Sequence, residues 1–243
     1  MGLYRPCSFG LSIAYSNDFR EQMERRSRDL ERHDREGNFD FELSLLDLHD
    51  VVDAALAADT ENASSALQRG LDRLASCNDH LTALGEVLVR CRAELYEREG
   101  IDPADPLIGR EPFFARIDYD ALYRELAAHG AALPQRVFWD DVANRLRDGG
   151  ARAGLRILDR SVRELQSDLR TFIGEVESVR RLPLLEMARA LHGASRSAAS
   201  VIMGFTRFVT TLTYLSTCCE RASEMYDHER GADHRLVAAV YAR

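Results

Sequence analysis

The sequence predicts an all-α protein, an elongated helical bundle of long antiparallel hairpins with coiled-coil-like seams, on three observations. Apolar residues recur at alternating steps of three and four over long stretches, the mark of one buried helical face. No stretch alternates with the period of two that marks a half-buried strand. Strong Pro and Gly punctuation is confined to one place, GIDPADPLIGREP at residues 100–112. The clearest seam is Leu155, Leu158, Val162, Leu165, Leu169, Phe172 and Val176, continued by Val179.

Residues 1–16 read as an irregular arm. A charged helix is expected from Asp18 to Glu36, with Asp18 and Glu21 spaced as a capping box and Gly37 as its stop. A second helix is expected from Phe39 to Ala58, with Leu45, Leu48, Val52, Ala55 and Leu56 on one face. A long helix follows from Asn62 to Glu99, its seam running through Leu67, Leu71, Leu74, Asn78, Leu81, Gly85 and Leu88. Asn78 in that seam reads as a register-setting polar residue, a role that costs stability. Residues 100–117 form the hinge between an acidic amino-terminal hairpin, 17–99, and a carboxy-terminal bundle, 118–230. In the second half, short helices are expected over 119–132 and 135–147, parted by Pro134 and closed by Gly149-Gly150. The opening seam then makes a helix that Pro183 stops, because proline lacks the amide hydrogen and clashes with the preceding turn. A last long helix is expected from Leu184 to Glu229, with its own seam through Ala198, Ile202, Phe205, Val209 and Leu212 and a tail over 231–243.

Charge narrows the function classes. The net charge of −8 is uneven: residues 1–134 carry 15 Arg against 26 acids (−11), and residues 135–243 carry 17 against 14 (+3). An acidic amino half repels phosphate backbones, so no nucleic-acid partner is expected. All 32 basic residues are Arg. The absence of Lys excludes Schiff-base chemistry and a Walker-type phosphate loop, both of which need the amine. It fits GC-rich coding or selection against ubiquitin attachment, as in a viral or pathogen protein working inside a host cell. Five scattered Cys (7, 77, 91, 218 and 219) without a C-x-x-C pair point to a reducing, cytoplasmic setting, with neither disulfide framework nor structural zinc. The opening MGLYRPCSFGLSIAY has no signal-peptide pattern. The stretch VIMGFTRFVTTLTYLSTCC, 201–219, is long enough to consider as a membrane span. Arg207 within it disfavours insertion, so a buried core helix is preferred and membrane association through 198–219 is the alternative.

Several short pieces carry chemistry in other proteins. Arg28–His33 and Arg124–His129 match the R-x4-H spacing of helical RNases and resemble the HEPN family over six residues each. His49-Asp50 resembles the metal-binding pair of the HD phosphohydrolases; that resemblance implies a divalent metal held by His49 and Asp50, with His33 and Asp118 as the nearest partners. Trp139 followed by Gly149-Gly150 is similar in spacing to the first homology box of the helical apoptosis regulators, although Asp140 and Asp141 replace that box's Gly and Arg. Glu224, Asp227, His228, Asp233 and His234 crowd the carboxyl end and read as surface charge.

The preferred expectation is a non-enzymatic assembly or adaptor protein, with no cofactor, no metal and no small-molecule substrate. It would act through a protein partner or as a homo-oligomer, using the seam from Leu155 to Val176 with Ile202, Phe205, Val209 and Leu212. Leu165 and Phe172 would lie at the helix contacts. A metal phosphohydrolase using His33, His49, Asp50 and Asp118 is the enzymatic alternative.

Overall fold

A computed structural model describes the backbone of residues 17–99, 112–128 and 136–241. Every element in it is a helix: α1 (Asn17–Leu56), α2 (Thr60–Glu99), α3 (Pro112–Arg116), α4 (Tyr119–Ala128), α5 (Arg136–Val179), α6 (Leu184–Gly193) and α7 (Ser195–Tyr241). The described residues contain no strand, and the all-α bundle expected from the 3-4 spacing is what the chain forms. The hinge placed at 100–117 lies largely outside the described residues, as do the arm over 1–16 and His129.

Two helix boundaries differ from the sequence expectation, and one expected break is found. Gly37 does not stop a helix; α1 runs through it. A Cβ at Gly37 would lie 3.3 Å from His80 Cβ and 3.6 Å from Phe205 Cε1, so its missing side chain lets α1 approach α2 and α7 together. That double packing outweighs the roughly 1 kcal/mol that a helix-interior glycine costs. The break expected at Gly149-Gly150 is present: within α5 the helical path is interrupted at Gly150, whose φ of 52° and ψ of −144° form a non-helical combination that only glycine enters freely. The last long helix is instead two, α6 and α7, broken at Gly193-Ala194, with the Ala194 amide still bonded to Ala190 O at 3.0 Å. Pro183 does stop a helix, as expected, and its carbonyl accepts the Met187 amide at 2.8 Å to open α6.

The chain forms two compact units, each assembled from separated stretches. Among the described residues, one gathers those within 89–158 and 210–241 with 17–28. The other gathers 29–88 and 159–209 and is a bundle of α1, α2, α5, α6 and the start of α7. Its core includes Phe41, Leu48, Leu74, Leu81, Leu165, Phe172, Val201 and Phe205. Phe41 is central, edge-on to Phe172 (5.5 Å between centroids) and tilted against Phe205 (6.2 Å). The turn joining α1 to α2 is a Schellman-type cap: the Asp59 amide reaches Ala54 O at 2.9 Å, the Ala58 amide reaches Ala55 O, and Ala58 takes φ 59°. Asp59 then caps α2 by accepting the Asn62 amide at 3.1 Å. Gly70 brings the two helices close, with Leu48 Cδ2 3.2 Å from where its Cβ would be.

Candidate metal centre

The tight α1–α2 hairpin sets three donor side chains against each other. His33 and Glu36 lie at i and i+3 on α1, hence on one face, and His80 faces them from α2. One donor atom from each falls within 4.8 Å of the others. The two imidazole Nδ1 atoms are 3.3 Å apart, and Glu36 Oε2 is 3.6 Å from His80 Nδ1. Two nitrogens bound to one tetrahedral zinc at about 2.0–2.1 Å stand roughly 3.3 Å apart, so the histidine pair already has the edge length of such a site.

A carboxylate stands behind His80, short of hydrogen-bond contact. Asp40 Oδ2 lies 3.7 Å from His80 Nε2, and Ser76 Oγ donates to the same carboxylate oxygen at 2.6 Å. At 3.7 Å that carboxylate is beyond direct hydrogen-bond reach, and its charge alone favours the proton on the far ring nitrogen. Without metal the protons follow from the partners. Arg32 Nη2, which can only donate, is 3.4 Å from His33 Nε2, so the His33 proton sits on Nδ1 and is offered to His80 Nδ1. His80 then carries its proton on Nε2, toward Asp40. A metal held through both Nδ1 atoms would require the His33 proton to shift to Nε2, the nitrogen that now faces Arg32 Nη2; Arg32 also meets Asp29 at 3.5 Å. Burial, then the neighbouring Arg32 and His80, lower the His33 pKa, which keeps that ring in its neutral, ligating form. All three donors are half-buried, shielded from bulk water on the bundle side and reachable from outside.

The next residue, Asp34, turns to the core side of α1. It is 5% exposed, its Oδ1 meets no partner, and burial pushes its carboxyl up to about 7.

The residues expected to carry phosphohydrolase chemistry are not gathered. His33 and His49 are 16 positions apart on α1, roughly 24 Å at 1.5 Å per residue. His49 pairs at the surface with Asp53 at 3.7 Å, and Asp50 reaches Arg69 at 3.5 Å. Asp118 belongs to the other unit, where its Oδ1 caps α4 by accepting the Ala121 amide at 2.9 Å. The carboxy-terminal group from Glu224 to His234 lies outside the residues whose side chains are described. Trp139 is buried in an aromatic cluster.

The seam residues Leu155, Leu158, Val162, Leu165, Leu169, Phe172 and Val176 are all buried within the chain itself. Phe205 and Leu212 are buried too, Val209 is half-buried, and Ile202 stays 44% exposed. Asn78 is only half-buried; its neighbour Cys77 takes the core position. By length and composition the stretch Leu184–Leu215 contains a window apolar enough to cross a membrane, 56% of it buried in the bundle.

Sequence reasoning missed the histidine pair because His33 and His80 are 47 positions apart and neither has a metal-motif neighbour. The signal that was there is His33-x-x-Glu36 on one arm of a hairpin and a histidine on the other. Compared with protein-family models, curated proteins and solved structures, the chain shows no match.

Proposed function

We propose that this chain is a non-enzymatic helical scaffold that takes up one divalent transition metal, zinc or a close relative, between α1 and α2. His33, Glu36 and His80 are its ligands. The observation that carries the reading is the convergence of these three donors within 4.8 Å, backed by Asp40 and Ser76. Two imidazoles and one carboxylate suit zinc, nickel, cobalt or iron and not calcium or magnesium, which prefer all-oxygen sites. Three protein ligands leave one position for water or an outside ligand. The metal joins two antiparallel helices that are already in register, so it fixes the hairpin on which the rest of that bundle packs.

Calorimetric titration of the chelator-treated chain with zinc chloride tests this. One zinc per chain is expected, with uptake lost in His33→Ala and His80→Ala and weakened tenfold or more in Glu36→Gln. Cobalt(II) bound at the same site should give the visible absorption of a tetrahedral complex. Equal zinc uptake by wild type and both histidine variants would overturn the assignment.

A second reading, assembly with another copy of the chain, is favoured by one observation. Phe39 and Leu46, one heptad apart on α1, are 58% and 64% exposed. They form an apolar pair on the outward face of that helix, where a second chain can cover it.

A further inference from the structure

The outward face of α1 carries a charge pattern that is its own complement when the helix is reversed. We infer, resting on the assembly reading above, that two copies of the chain meet on this face, with their α1 helices antiparallel and the twofold axis beside Leu43. None of the three metal donors takes part.

At 100° per residue, Arg32, Arg35, Phe39, Leu43, Leu46, Asp50 and Asp53 fall within an arc of about 80° around α1. The buried residues Phe41, Leu48 and Val51 lie on the opposite side of the helix. Leu43 is half-buried and the other six are exposed. The stripe is therefore apolar in the middle, basic toward the amino end and acidic toward the carboxyl end, and it runs about 32 Å at 1.5 Å per residue.

Reversal of the helix makes these parts fit. When Phe39 of one copy is set on Leu46 of the second, four residues outward on each helix bring Arg35 against Asp50 of the second copy. Seven residues outward bring Arg32 against Asp53. The twofold axis repeats every contact, so both apolar pairs are flanked by opposite charges. In a parallel pairing the same residues would meet themselves, Arg on Arg and Asp on Asp, and the like charges would oppose it. A lipid surface would cover Phe39 and Leu46 but repel Asp50 and Asp53.

Within one chain these charges are only loosely engaged. Arg35 makes no ion pair with a described residue. Arg32 meets Asp29 at 3.5 Å, Asp50 meets Arg69 at 3.5 Å and Asp53 meets His49 at 3.7 Å, all long contacts at the surface. Glu42, the acid beside the axis, is held on its own helix by Asn38 at 3.1 Å. One helix face from each copy is a small interface, which suits a reversible dimer.

Sedimentation velocity of the full chain over micromolar concentrations, at low and high salt, tests the pairing. The wild type is expected to dimerise, less tightly at high salt. Arg35→Asp and Asp50→Arg should each weaken the dimer by roughly fivefold to thirtyfold, since each turns two attractive pairs repulsive. Combined in one chain, the two reversals restore opposite charges across the axis, and affinity should return to within about threefold of wild type. Helicity by circular dichroism should be the same throughout. Should Asp50→Arg fail to fold beside Arg69, Arg32→Asp and Asp53→Arg make the same test. A monomeric wild type would overturn this inference together with the assembly reading. A dimer that ignores the single reversals, or that the double reversal does not restore, would overturn the antiparallel pairing alone.

Discussion

Two residues occupy positions that their chemistry disfavours, and each yields a measurable consequence. Asp34 places a carboxyl at a core position of α1, and burial raises its pKa from 3.8 to about 7. A value raised in the folded state means that stability is fully present below about pH 4 and is lost as pH rises through 7. For the metal-free chain the loss is on the order of 4 kcal/mol at most, and chemical denaturation at pH 4.5 and 7.5 measures it. Asp34→Asn, which cannot ionise, should remove this part of the slope and be the more stable form at pH 7.5; an unchanged slope would place its origin elsewhere. Ala58 takes the left-handed conformation at the end of α1, where a Cβ is unfavourable. Ala58→Gly relieves that strain while adding freedom to the unfolded chain, so a net gain of roughly 0.5–1 kcal/mol is expected in thermal melts.

At the scale of the element, the helices hold together through close approaches and one buried ion cluster. Asp47 of α1 accepts from Arg69 Nε at 2.9 Å and from Arg73 Nε at 2.6 Å, both on α2, and its side chain is 9% exposed. Both arginines reach water, so Asp47→Ala is expected to cost only about 1–2 kcal/mol by denaturant unfolding, less than breaking a wholly buried pair. Gly204 of α7 meets α5: a Cβ there would fall 2.8 Å from Leu165 Cδ1, whereas one at Gly174 would meet nothing within 4 Å. Gly204→Val should therefore destabilise by roughly 1–3 kcal/mol more than Gly174→Val in the same assay. These contacts also explain how much of the elements was legible. The 3-4 spacing located every long helix, because burial of one face leaves that period in the sequence. The break at Gly150 was read correctly, but boundaries were misread at Gly37 and Gly193, since a glycine's role depends on what packs over it, and no local pattern records that.

For the whole molecule, the candidate site was far less legible than the fold. A histidine pair 47 positions apart comes together only because Ala57, Ala58 and Asp59 make a tight reversal that sets α2 in register with α1, and sequence spacing alone does not give that register. The strict seam from Leu155 to Val176 raised a different question, whether it packs against the same chain or a second one. All seven of its positions are buried within the chain, so Leu165 and Phe172 are core residues of one bundle. Leu165→Asp and Phe172→Asp should then abolish cooperative folding, with helicity lost and no stable monomer released, because each buries an unpaired charge. If copies of the chain do associate, the surface that serves must be one the bundle leaves open, and Phe39 and Leu46 on α1 offer it. Phe39→Ser with Leu46→Ser is expected to keep the fold by circular dichroism and to lower the mass measured by light scattering at micromolar concentration. A wild-type chain already monomeric in that measurement would remove the assembly reading and leave the metal reading untouched, since His33, Glu36 and His80 all belong to one chain.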